Sequence, residues 1–193
     1  MAIDAKKILV GAPDQSSTTG AVNYADVTAT MPTDARTPLA GFTACGYVSE
    51  DGLTITPNFS TSDIKDWSRN TVRTLLEEFT GEVTFSFIQT DHESLVAIFG
   101  ADHVAKTVAT SDHGEQLAIR MGAHIAPAKA FAFNMKDGDA RIRVVLPNAQ
   151  AVVDGDITFV ANQPINWGVR LTCGADAAGS CIYVYTDDGV VSA

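Results

Sequence analysis

The stretch from Gly46 to Gly100 constrains the fold more than any other part of the chain. It reads GYVSEDGLTITPNFSTSDIKDWSRNTVRTLLEEFTGEVTFSFIQTDHESLVAIFG. Leu53 and Ile55 alternate with Thr54 and Thr56, and Val83, Phe85 and Phe87 alternate with Thr84 and Ser86. A period of two with one apolar face is the pattern of a half-buried strand. Between these runs lies a polar excursion, Phe59 to Asn70, with Trp67 near its far end. Thr90-Asp91-His92-Glu93 has the T-x-x-E form of a capping box, in which Thr hydroxyl and Glu carboxylate satisfy free N–H groups. Leu95, Ile98 and Phe99 then share one helical face. This predicts a helix over 91–99, closed by Gly100 where positive φ is common. The unit is a strand, a long protruding loop, a strand pair and a helix that can lie across the sheet.

The rest of the chain reads as more short strands. HVAKTVA and QLAIRMGAH each support one, with SDHG as the turn between them. KAFAFNMK and RIRVVL are joined at Asp137-Gly138-Asp139, a strong hairpin signal, and Pro147 is expected to end the second. Asp154-Gly155-Asp156 turns the chain into DITFVANQ. Pro164 interrupts the next run, so WGVRLTC is a separate segment or an edge strand. SCIYVYTDD is the last strand. About eight to ten strands and one helix make a mainly β protein, an antiparallel β-sandwich or barrel with one flanking α-helix.

Residues 1–40 differ from the rest of the chain and are expected to form an extended N-terminal arm, with 41–193 as the β domain. Thr, Ala, Asp and Gly dominate here, QSSTTG has a linker composition, and Pro32 and Pro38 break regular structure. Ile8, Leu9 and Val10 form one apolar patch, and Val22, Tyr24 and Val27 another; neither looks able to build a core. The domain's radius of gyration is about 16 Å, and twenty extended residues span up to about 65 Å. An arm of this length is therefore long enough to reach a neighbouring subunit. Removing residues 1–30 is expected to leave a folded domain that no longer assembles.

With 13 basic and 23 acidic residues the net charge is −10, which argues against a protein that grips nucleic acid through its phosphates. No apolar run approaches the roughly 20 residues of a membrane-spanning helix. MAIDAKKILVGAPD lacks the apolar core of a signal peptide, so a cytoplasmic product is expected. Cys45, Cys173 and Cys181 have no metal-binding spacing, and Cys173 and Cys181 read as small packed thiols rather than a disulfide. His103, His113 and His124 are too widely spaced for a metal site. No nucleophile elbow, phosphate loop or H-E-x-x-H is present. Asp91-His92-Glu93 is better read as an acidic first helical turn than as an acid/base cluster. No catalytic residue, metal or cofactor is expected.

GYVSEDGLTIT, the polar loop with Trp67, FSFIQTDHESLVAIFG, ARIRVVLPNAQAVVDGDITFV and the closing IYVYTDDG together resemble the major tail protein of long-tailed bacteriophages, which forms the tail tube. The likeness spans roughly residues 36 to 190. It implies a structural virion protein that self-assembles into hexameric rings stacked as a hollow tube, a conduit for genome ejection. It also implies tape-measure, tail-terminator and tail-tip proteins as partners, and assembly in the host cytoplasm. Under that reading the lumen should be neutral or acidic, without unpaired Arg73, Arg120, Arg141 or Arg143 on its wall. The loop 59–70 should project axially and dock on the next ring, with Trp67 as anchor, Phe59 and Ile64 adding apolar surface, and Asp63, Lys65, Asp66 and Arg69 as a polar rim. Ile8, Leu9, Val10, Val22 and Tyr24 of the arm should add contacts between subunits. Two other readings are open: the tube of a contractile tail or type VI secretion-like system, and a carbohydrate-binding β-sandwich module.

Overall fold

The computed structural model describes residues 7–14 and 20–191. In chain order these form β1 (Ala12–Pro13), β2 (Val22–Asp26), β3 (Thr43–Ala44), β4 (Thr54–Lys65), β5 (Thr71–Phe87), α1 (His92–Phe99), β6 (Val104–Thr107), β7 (Gln116–Ile119), β8 (Lys129–Asp137), β9 (Ala140–Val153), β10 (Trp167–Cys173) and β11 (Tyr183–Asp187). Among the described residues the fold is mainly β with antiparallel sheets and a single α-helix, as the strand patterning predicts. Nine strands form one sheet with the path β3-β2-β8-β9-β10-β5-β4; β1 adds to β8 and β11 to β9. β6 and β7 pair separately.

That sheet rolls over on itself. Phe85 of β5 meets Phe133 of β8 edge to face, with ring centroids 5.3 Å apart. The two strands lie three steps apart along the hydrogen-bonded path, about 14 Å in a flat sheet. Their side chains touch because strand twist curls the sheet until its ends face each other. The enclosed cluster includes Val22, Val83, Phe87, Phe131, Leu146, Trp167 and Leu171, and α1 packs into it through Leu95, Ile98 and Phe99. Burial in α1 runs without a break from Ser94 to Phe99, so this helix is enclosed rather than laid on a wet surface.

Several sequence expectations are corrected. The helix cap is Asp91, not Thr90: Asp91 Oδ1 accepts the Ser94 N–H at 2.8 Å. The Thr90 hydroxyl instead accepts from Trp167 Nε1 at 2.9 Å. Glu93 does not turn back to the cap; it accepts from the Tyr24 hydroxyl at 2.7 Å. Pro147 does not end β9. Phe131 pairs with Leu146 and Lys129 with Ala149, so Pro147 and Asn148 together oppose Ala130 in a bulge, where a missing N–H is tolerated. β10 is not an edge strand; it pairs with β9 on one side and β5 on the other, because Pro164 lies outside it. DITFVANQ forms no strand, and Phe159 and Val160 are exposed.

The largest correction concerns the arm. β2 lies inside the sheet between β3 and β8, with Val22 2% and Tyr24 7% exposed. Both side chains are spent on the chain's own core and are not available to a neighbouring subunit. The polar surroundings hid this strand, since Asn23 is itself buried and donates to the Gly20 carbonyl at 3.3 Å. The irregular connection from β2 to β3 is held by two arginines. Arg143 Nη1 donates to the carbonyls of Asp34 and Thr37 at 3.0 and 2.7 Å, and its Nε to Asn134 Oδ1 at 2.7 Å. Arg36 forks onto both Asp187 oxygens and reaches the Asp139 carbonyl.

Candidate functional site

The polar excursion between the first two predicted strands is not a loop. β4 and β5 pair continuously from Thr54↔Thr84 to Lys65↔Thr71, and residues 66–70 form the turn. The bonded register slips at Ser60/Thr61 and at Ile64/Lys65, two bulges that strengthen the local twist. From Pro57↔Gly81 to Lys65↔Thr71, before the turn, the hairpin runs nine residues of β4, about eight steps and about 27 Å of strand. Between residues 56 and 78 every side chain is exposed except Ser62 and Leu75, which are half-buried. A hairpin alone is marginal in water; this one is anchored by its base, where Val83 and Phe87 are fully buried.

The turn is tied by its own side chains. Asp66 Oδ1 accepts the Asn70 N–H at 2.8 Å, its N–H donates to the Asn70 carbonyl, and its carbonyl accepts from Arg69 N–H, both at 2.9 Å. Arg69 sits at φ 65°, in the left-handed region, a conformation that costs a non-glycine residue about 1 kcal/mol or more. Asp63 accepts from the hydroxyls of Thr71 and Thr74, at 3.3 and 2.7 Å. These bonds stiffen the tip and present the Trp67 indole wholly to solvent, at 102% exposure.

Phe59, Asp63, Ile64, Lys65, Asp66, Trp67 and Arg69 therefore stand together on one projecting element. Phe59 packs against Phe79 across the strands, with centroids 4.9 Å apart, yet remains 65% exposed. Val72 and Leu76 are similarly exposed, and the sequence pattern does not mark them, because the bulges break their alternation. In the N-terminal segment Ile8 and Val10 are exposed and Leu9 is half-buried. Val10 N–H donates to Asp137 Oδ2 at 2.9 Å, which ties this segment to the β8–β9 turn.

The acidic groups near α1 are engaged structurally. Burial pushes Glu93 up, but hydrogen bonds from His92 and Tyr24 outweigh it and hold the carboxyl below its usual range. Burial and the Glu93 contact raise the Tyr24 phenol. All three cysteines are free and buried; burial, with Cys181 nearby, pushes the Cys173 thiol up to about 12. His103 and His124 stack with centroids 3.3 Å apart. Among the described residues no three His, Cys, Asp or Glu side chains gather in a metal-binding group, and no helix is long and apolar enough to cross a membrane.

A family model described as phage tail tube protein matches residues 1–193. No curated protein matches the chain.

Proposed function

The chain belongs to the phage tail tube protein family, and from that premise we propose that it self-assembles into six-membered rings that stack into a hollow tube for genome ejection. Membership makes it a structural component of the virion tail. The observation that carries the assembly reading is the hairpin. A soluble monomer has no use for about 27 Å of ribbon bearing five exposed large apolar side chains: Phe59, Ile64, Trp67, Val72 and Leu76. Such a surface is built to be covered, and in a ring stack the covering surface belongs to another copy. Trp67 is its anchor, since buried aromatics carry much of an interface's energy. Ile8, Leu9 and Val10 add contacts from the N-terminal segment.

Tape-measure protein inside the tube, and terminator and tip proteins at its ends, are the partners this role requires. Assembly takes place in the host cytoplasm. Negative-stain electron microscopy of the purified protein tests the reading: rings with six-fold symmetry and tubes built from them are expected. A protein that stays monomeric at high concentration and across salt conditions would refute self-assembly.

A further inference from the structure

An apolar groove of about 730 Å³ opens at the end of β5 away from the hairpin tip. Its walls include Val48, Leu53, Phe85, Ile88, Phe133 and Met135, and Val10 to Pro13 form one lip. Tyr47 stands exposed at its mouth. We infer that this groove is the receptor for the Trp67-bearing tip of a second copy of the chain. The inference rests on the reading of the protein as a stacking tube subunit and names the two surfaces that meet.

Three observations carry it. The first is placement along one strand. β5 begins beside the tip at Thr71 and reaches the groove at Phe85, up to about 48 Å away if straight. Knob and hole therefore lie toward opposite ends of one strand, and Trp67 is wholly exposed, so they do not meet within the chain. Two different surfaces that join head to tail do not close on a pair but propagate, into a ring or into an open stack, and an open stack is what the proposed tube needs between rings. The second is size and character. The groove falls within the range of cavities that take a ligand larger than an indole, and its walls are mainly aliphatic and aromatic. The third is charge. Residues 63–73 hold Lys65, Arg69 and Arg73 against Asp63 and Asp66, a net positive tip on a chain of charge −10. The two tip carboxylates are occupied by the turn and by threonine hydroxyls, whereas the three cations form no salt bridge among the described residues. Glu50 is the charged residue among those lining the groove, and Asp51 is its neighbour in the chain; neither is in a salt bridge among the described residues. A cationic tip entering a groove with an acidic lip is favoured in both orientation and rate.

Photocrosslinking tests it. Position 67 is replaced by p-benzoylphenylalanine, which keeps an aromatic anchor, and the variant is co-assembled with unmodified chain before irradiation and peptide mapping. Crosslinks between copies should fall within residues 45–53 or 133–135. Crosslinks to another surface of a neighbouring copy would overturn the groove assignment while leaving tube formation standing. Crosslinks confined to single chains inside intact tubes would overturn tip docking altogether. If unmodified protein forms no tubes, the functional reading falls first and this inference with it. Charge reversal gives an independent reading. Glu50→Arg should slow assembly about tenfold, and adding Arg69→Glu to the same chain should restore it, because each tip then meets a groove of opposite charge. Two slowed assemblies without restoration would count against the pairing.

Discussion

Two tryptophans in this chain have opposite environments. Trp167 is 3% exposed, donates to Thr90 Oγ1 and meets Phe99 edge to face, centroids 6.2 Å apart. Trp67 touches nothing that would hide it. Trp167→Ala should cost about 3–5 kcal/mol, the usual range for truncating a large buried aromatic. Trp67→Ala should change unfolding free energy by less than about 1 kcal/mol and still stop or sharply slow tube growth. Urea denaturation of the two variants, beside electron microscopy of assembly, separates these roles. Early melting of Trp67→Ala with tubes still forming would place that indole in the core. Trp67 is legible in the sequence because an indole among charged residues has no local use. The helix cap is not, because Thr90 and Asp91 are both good caps and sit side by side. Trp167, 77 residues away, takes the threonine hydroxyl and leaves the task to Asp91. Asp91→Ala should therefore destabilise the protein by about 1 kcal/mol, measured by the same denaturation curves.

At the scale of elements, legibility in the sequence depends on half-burial. The base of β5 shows clean alternation because one face meets the core and the other meets water. The distal hairpin has water on both faces, so nothing in its sequence needs to alternate, and it reads as a loop. β2 is hidden for the opposite reason: four consecutive side chains, Val22 to Ala25, are buried, which erases a period of two. Truncation tests the corrected N-terminal boundary. Removing residues 1–11 should leave the melting behaviour near that of the full chain, because Ile8 and Val10 are exposed. Removing residues 1–30 deletes β2 and should abolish cooperative unfolding in calorimetry; a cooperative transition in that variant would return β2 to the status of an arm. The connection from β2 to β3 carries a pH dependence. Arg36 beside Asp187, helped by the Gly189 N–H, holds that carboxyl down at about 2, against 3.8 ordinarily. A depressed acid stabilises the fold fully above its unfolded pKa and loses that contribution as pH falls through the folded value. Residues 27–42 should therefore loosen between about pH 4 and 2, seen as faster amide exchange there than in β8. Asp187→Asn should show the faster exchange already at neutral pH.

For the whole molecule, the deciding property is how its few cations are held. If the proposed tube conducts a polyanion, its wall must not bind it, and each phosphate contact made by a free Lys or Arg would add affinity and drag. Most of the arginines whose exposure on an inner wall would contradict this are engaged. Arg143 is buried in its hydrogen bonds. Arg141 faces Asp14 at 3.8 Å and donates to the carbonyls of Gly138 and Ala140. Arg120 reaches the Asp102 carbonyl, though it has no salt bridge among the described residues. Arg36, Arg170 and Lys106 are paired with Asp187, Asp154 and Glu115. Arg73, on the hairpin, forms no salt bridge among the described residues. If the tip docks into an acidic groove, this charge is drawn toward the joint between copies rather than left to the lumen. Such economy with positive charge is visible in the −10 balance, but which cations are tied is not, since the partners lie up to 151 residues apart. Assembled tubes should then retain no duplex DNA at about 0.15 M salt, where even weak non-specific binders show dissociation constants near 10⁻⁴ to 10⁻⁶ M. Filter binding with labelled DNA measures this directly. Retention in the micromolar range, weakening steeply as salt is raised, would show free cations along the path and sink the idea of a low-friction wall. If Arg73→Glu alone removed such retention, the hairpin would have to face the lumen, and its assignment to the joint between copies would fall with it.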